Sequence, residues 1–220
     1  MGLQRTRAVI DGVLGAGTVV ARSDGSSHSV FPVSVSPPEG EALRAWVERE
    51  DATRTIEVGF GYAISALFVC EGLLASDHAG ARHVVIDPNQ STRFADCGLQ
   101  LVEDAGLDDV IELYREGSET VLPRLLAEGR RFDLAFVDGN HRFEGVFLDL
   151  VYLGRLVRAG GIVIVDDHQL PSVARAVSFC TTNLGWTLEE VSRDDEQHGW
   201  AALRTAAVPI ERAFDHYVEF

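Results

Sequence analysis

The sequence predicts an α/β fold, a doubly wound, mostly parallel sheet with helices on both faces and an antiparallel strand pair at its C-terminal end. Three observations carry this. Short apolar runs of strand length alternate with amphipathic stretches long enough for crossover helices. Those runs are nearly continuous in their apolarity, as strands covered on both faces are. The last two runs have no helix between them, which is the pattern of a hairpin.

Residues 1–38 lack strong periodicity, and 23–38 are rich in Ser, Gly and Pro. They are expected to form an arm or lid over a main domain spanning 39–220. From Glu39 the pattern changes: GEALRAWVERE sets Leu43, Trp46 and Val47 at helical spacing. Strands are predicted at TIEV (55–58), HVVI (83–86), VIEL (110–113), LAFV (134–137) and GIVIV (161–165). Helices are predicted between them over 63–75, 92–105, 120–128 and 143–158. WTLEEV (186–191) and GWAALRTA (199–206), joined by SRDDEQH, make the terminal pair. Neither a solenoid repeat nor a linker after residue 40 interrupts this order.

Composition narrows the functions. The chain has 220 residues, 46% hydrophobic and 24% charged, which suits one globular domain. Its 34 acidic residues against 19 basic ones give a formal charge of −15, which repels phosphate backbones and anionic lipid, so nucleic acid and membrane are not expected partners. All 19 basic residues are arginine, which excludes a Schiff base, a P-loop lysine or a lysine general base, and fits a GC-rich bacterial genome. Cys70, Cys97 and Cys180 form no C-x-x-C pair and are expected as buried thiols in a cytoplasmic protein. No apolar run reaches the roughly 18 residues of a spanning helix. Arg5 and Arg7 before AVIDGVLGAGTVVA, and Met1-Gly2 with Thr6, match the signal-peptide and myristoylation patterns only loosely. The apolar N-terminal segment offers a face for a second copy of the chain, as in a homodimer.

In open α/β sheets, ligands bind beyond the carboxyl ends of the strands. After the first predicted strand, EVGFGYA carries Glu57, Gly59 and Gly61, whose glycines let backbone approach a ligand. The dinucleotide fingerprint wants a further Gly or Ala where this chain has Ile64, which disfavours an NAD-type oxidoreductase. Asp87 ends the second strand, where a carboxylate either accepts ribose hydroxyls or caps the next helix. Gly117 and Ser118 follow the third, to line an adenine edge or to cap a helix. Asp138 and His141 end the fourth; Asp166, Asp167 and His168 end the fifth. Neighbouring strands lie about 4.8 Å apart, so these carboxylates converge. Three of them together suit a hard divalent cation such as Mg2+.

Glu57-x-Gly59-x-Gly61, Asp87 and Gly117-Ser118 at successive strand ends resemble the S-adenosylmethionine site of class I methyltransferases, whose sheet is Rossmann-like. The D-G-x-H run and the acidic pair after R-x-G-G resemble the metal-dependent small-molecule O-methyltransferases, a group containing catechol and macrocin O-methyltransferases, over residues 36–206. The resemblance implies cofactor contacts from Glu57, Gly59, Gly61, Asp87, Gly117, Ser118 and Asp138. It implies a Mg2+ or other divalent ion on Asp138, Asp166 and Asp167, holding the acceptor oxygen. His141 maps to the base of the sugar-modifying branch, with His168 in reserve. Catechol-type members carry a lysine near here that this chain lacks, which disfavours a catechol and raises the importance of His141. The implied activity is methyl transfer to a hydroxyl of a small molecule. The alternatives are a metal-independent methyltransferase, a non-catalytic adenosyl-binding module and the NAD-type oxidoreductase.

Overall fold

Every apolar run that the sequence marks as a strand forms one in the computed structural model, which describes residues 2–76, 78–193, 199–208 and 213–220. The chain forms two compact units, Met1–Gly117 and Ser118–Phe220. The first opens with α1 (Gly2–Ala16), a hairpin of β1 (Thr18–Val20) and β2 (Ser27–Ser29), and α2 (Pro37–Arg49). It continues through β3 (Arg54–Val58), α3 (Ile64–Ala75), β4 (Arg82–Ile86), α4 (Cys97–Ala105) and β5 (Ile111–Tyr114). These three longer strands are parallel, with Val58 level with Ile86 and Ile86 level with Tyr114. Their register releases Gly59, Asp87 and Arg115 at one height.

The second unit runs α5 (Ser118–Ala127), β6 (Phe132–Val137), α6 (Phe143–Leu156), β7 (Val157–Val165), α7 (Pro171–Asn183), β8 (Thr187–Arg193) and β9 (Gly199–Arg204). β6 and β7 are parallel, and Val137 is level with Val165. β9 lies antiparallel between β7 and β8, so the expected terminal pair is present. Residues 194–198 of its connection, His198 among them, lie outside the described residues.

Three boundaries differ from the sequence reading, each for a local reason. The first 38 residues contain α1, whose buried face is Thr6, Ile10 and Val13. One position of that stripe is a threonine, its hydroxyl donating to the Gly2 carbonyl, and this hid the helical period. α4 starts at Cys97 rather than 92, because Ala95 and Asp96 take left-handed φ of 48° and 57° and end the preceding turn. α6 stops at Leu156 because Val157 is already extended and pairs with Phe132.

Arginines fasten the N-terminal part. Arg5 donates to the carbonyls of Asp104 and Glu103 at 2.6 and 2.9 Å, at the C-terminal end of α4, where carbonyls lack the full set of helical partners. Arg7 pairs with the buried carboxylate of Glu71 on α3. All three cysteines are free and buried, and burial pushes the Cys180 thiol up to about 12. No helix among the described residues is long and apolar enough to cross a membrane.

α2 starts cleanly, with the Ser36 hydroxyl accepting from the Glu39 N–H and Pro37 in the first turn. It then packs on α3 so closely that a Cβ on Gly40 would lie 2.3 Å from two ring carbons of the buried Phe68. Gly40→Ala should therefore destabilise the protein by about 1–3 kcal/mol, even though alanine favours the helix by up to about 1 kcal/mol. Urea denaturation measures this, and an unchanged midpoint would contradict the packing described.

Candidate functional site

The glycine turn after β3 is shaped by left-handed backbone: Gly59 has φ 93°, Gly61 51° and Ala63 65°. For Ala63 this conformation costs about 1–2 kcal/mol, and α3 receives no side-chain cap from it. Asp87 holds the turn. Its Oδ2 accepts from the N–H groups of Phe60 (3.3 Å) and Gly61 (2.9 Å) and from the Gln90 amide (2.9 Å). Its Oδ1 accepts from the Asn89 N–H at 2.7 Å. The Gln90 amide also donates to the Gly61 carbonyl at 2.8 Å, so two side chains pin one glycine. Three of these four bonds fall on Oδ2, the oxygen that faces the turn and the Gln90 amide. The sequence reading missed Gln90, whose only signal is its place three residues after Asp87.

Glu57 lies beneath the turn, not on it, and is 0% exposed. Its Oε1 accepts from the Ser65 hydroxyl at 2.5 Å and its Oε2 lies 3.0 Å from Nε2 of His83. From the other side His28, on β2, lies 3.4 Å from the Tyr62 hydroxyl, so the N-terminal hairpin touches the turn.

In the second unit, the level ends of β6 and β7 bring the predicted acidic residues together. Asp138, His141 and Asp166 each offer a ligand atom, and these atoms lie within 4.8 Å of one another. Asp166 continues the ladder, its N–H donating to the Val137 carbonyl at 3.0 Å. Asp167 takes a left-handed φ of 55°, and its N–H donates to Asp166 Oδ1 at 2.6 Å. His141 stands between two carboxylates, with Nε2 3.3 Å from Asp138 and Nδ1 2.8 Å from Asp167. The Ser172 hydroxyl at the start of α7 donates to the His141 carbonyl at 2.6 Å and fixes the loop.

The electrostatics follow from this crowding. Hydrogen bonds to Asp138 and Asp167 push the His141 pKa up to about 10, so it carries a proton at neutral pH. Burial raises the Asp138 carboxyl well above the usual range; His141 opposes that rise, and Asp166 adds to it. Two carboxylates, Asp138 and Asp167, share one imidazole, and Asp166 lies beside them. The other histidine, His168, is tied by its backbone N–H to the Gly199 carbonyl at 2.8 Å and is not in the three-residue group. Asp167 does not cap α7, whose cap position is Leu170, without a side-chain hydrogen bond.

Gly117 ends the first unit and Ser118 opens α5 in the second. Beside Ser118, Asp149 of α6 is 1% exposed, and neither of its oxygens has a well-formed hydrogen bond. A cleft of about 440 Å³ in the first unit, lined by Arg22, Asp96, Leu99, Gln100 and Ile111 among others, contains none of the predicted site residues.

Residues 56–168 match a family model described as a methyltransferase domain. The chain is 27% identical to a caffeoyl-CoA O-methyltransferase of Stellaria longipes over 78% of its own length and 74% of that protein. It is 35% identical to tricin synthase 2 of Oryza sativa subsp. japonica over 64% of its length, but spans only about half, 47%, of that relative. Among solved structures, an O-methyltransferase from Bacillus cereus in complex with SAH aligns with a TM-score of 0.71, 19% identity and 90% of both chains. The O-methyltransferase TomG from Streptomyces achromogenes, in complex with SAM, aligns with a TM-score of 0.70, also at 19% identity, over 92% of this chain and 90% of that one. The fold is thus the Rossmann-like fold of methyltransferases, as the sequence pattern predicts.

Burial pushes the Asp149 carboxyl up to about 6 from an ordinary value near 3.8; the Ser118 hydroxyl pulls it down and Glu119 adds to the rise. Ionised Asp149 therefore costs stability in full above pH 6, and the cost fades as pH falls toward 4. Asp149→Asn should raise unfolding free energy at pH 7.5 by about 1–3 kcal/mol. Denaturation at several pH values checks the sign. The gain should narrow by roughly half at pH 5, and a gain that grows on acidification would contradict the assignment.

Proposed function

The chain belongs to the methyltransferase-domain family and is a class I S-adenosylmethionine-dependent O-methyltransferase; we propose that it moves the methyl group to a hydroxyl of a small molecule, with a divalent cation at Asp138, Asp166 and Asp167. The observation that carries the metal reading is the second-unit cluster, three ligand atoms within 4.8 Å of one another at the level ends of β6 and β7. Its donor set fits a hard cation such as Mg2+: carboxylate oxygens dominate, and the half-buried Asp138, held above the usual carboxylate range by desolvation and by Asp166, would gain from an added positive charge.

S-adenosylmethionine supplies a sulfonium methyl that the acceptor oxygen takes in line, with S-adenosylhomocysteine leaving, and a divalent cation supplies Lewis-acid lowering of the acceptor hydroxyl's pKa. The chain's own residues do the rest. Gly59 and Gly61 expose backbone for the adenosyl group, and Asp87 keeps that backbone in place through the N–H groups of Phe60 and Gly61. We assign the adenine edge to Gly117 and Ser118. His141 is the base for the acceptor proton: its basicity falls once the charge of Asp138 and Asp167 is offset, which frees Nε2 or Nδ1. Glu57 serves the cofactor from beneath the turn. His168 keeps the reserve role.

A metal-independent transfer is the second reading, favoured by His141, which already stands as counter-charge between two carboxylates. Transfer of labelled methyl to a panel of hydroxylated acceptors separates the readings. Turnover is expected to vanish in chelator and return with magnesium; full activity in excess chelator supports the second reading instead. His141→Ala should slow turnover by about 10² to 10⁴ while S-adenosylhomocysteine still binds. Asp87→Ala should weaken that binding about tenfold to a hundredfold, because the turn loses the acceptor for two N–H groups. Acceptor methylation by no member of the panel, with tight adenosyl binding, would point to a binding module.

A further inference from the structure

His83 sits in the middle of the first unit's sheet and takes no part in the chemistry above, yet it belongs to a buried hydrogen-bonded chain that runs from Thr55 to the start of α3, beside the glycine turn. It is 0% exposed on β4, directly across from Thr55 on β3. The Thr55 hydroxyl is 2.8 Å from its Nδ1, and its Nε2 is 3.0 Å from Glu57. Thr55 and Glu57 are two residues apart on one strand and so share a face. Ser65, in the first turn of α3, completes the chain by donating to the other oxygen of Glu57. Thr55, Glu57, Ser65 and His83 are all buried.

One arrangement satisfies every group. The Thr55 hydroxyl donates to Nδ1, Nε2–H donates to Glu57, and the Ser65 hydroxyl donates to Glu57, so all donors point at one carboxylate. That carboxylate sits at the N-terminal end of α3, where the helix dipole favours negative charge. Between Glu57 and Ser65 lie the three left-handed residues Gly59, Gly61 and Ala63, and α3 has no other side-chain cap there. A strained turn persists only where its surroundings over-determine it. Asp87 grips it from one side. The Glu57 and Ser65 link closes it from below, and His83 fixes where Glu57 can be.

We propose that His83 is a positioning residue for the methyl donor: through Glu57 and Ser65 it holds the glycine turn in the conformation that binds the adenosyl group. The proposal rests on the reading of Gly59 and Gly61 as the cofactor turn. It assigns Glu57 an indirect role in binding, and it makes Thr55 and His83 part of what holds the cofactor turn, from within the sheet.

The experiment is calorimetric titration of S-adenosylhomocysteine into the full chain, with urea denaturation of each variant alongside. His83→Leu leaves Glu57 buried with Ser65 as its one donor, and affinity should fall about tenfold to a hundredfold in protein that remains folded at the assay temperature. His83→Gln keeps an N–H for Glu57 and should bind within about threefold of the original. Replacing the pair, His83→Leu with Glu57→Leu, should recover stability, since an apolar pair removes the buried charge, while affinity stays low. Recovery of affinity together with stability would mean a structural role only and would overturn the proposal, as would wild-type affinity in His83→Leu. If His83→Leu does not fold, Thr55→Val reads the same chain at its far end, and unchanged affinity there overturns it too. Absence of S-adenosylhomocysteine binding by the wild-type chain would instead remove the cofactor reading itself.

Discussion

Parallel strands that end at the same height deliver whatever follows them into the same space, and the chemistry of this protein depends on that constraint. In the second unit Val137 and Val165 are level, so Asp138 and Asp166 cannot avoid one another although 28 positions separate them. In the first, Val58 and Ile86 are level, and Asp87 meets the turn that begins at Gly59. Hydrogen bonding between strands fixes the heights. Side chains then only have to be of the right kind at the position after the strand, which is how a uniform apolar sheet supports a specific site.

Burying carboxylates near such ends is costly unless each finds donors or counter-charge. The two units solve this differently. Asp87 and Glu57 are satisfied from within the chain: Asp87 by backbone N–H groups and Gln90, Glu57 by Ser65 and His83. In the cluster of Asp138, Asp166 and Asp167, His141 stands between two of the carboxylates, the Asp167 N–H donates to Asp166 and the Gln169 amide donates to Asp167. The first arrangement makes scaffold; the second is the one that the proposed reading gives to a cation.

The strands and their order of occurrence could be read from the sequence because continuous apolar runs such as HVVI and GIVIV admit little else, and the acidic residues after them could be read because topology brings strand ends together. Three things could not. The helix at Gly2–Ala16 hides its stripe behind a threonine that bonds to its own backbone. The direction in which Glu57 points depends on His83, a partner 26 positions away that only the β3–β4 register reveals. The hold of Asp87 on the turn is the third; nothing in VVIDPNQ says which donors a carboxylate will meet. His141 was identified as a candidate by its spacing from Asp138, but its second contact, to Asp167, comes from the left-handed turn at that residue.

On the proposed reading, the carboxylates at the ends of β6 and β7 hold a cation independently of the adenosyl turn. Calorimetric titration of a divalent cation into chelator-stripped protein, original chain against Asp166→Asn, tests it most directly. One saturable site in the original chain, lost in the variant while S-adenosylhomocysteine affinity is unchanged, is the predicted result. Equal cation binding by both proteins would contradict the claim.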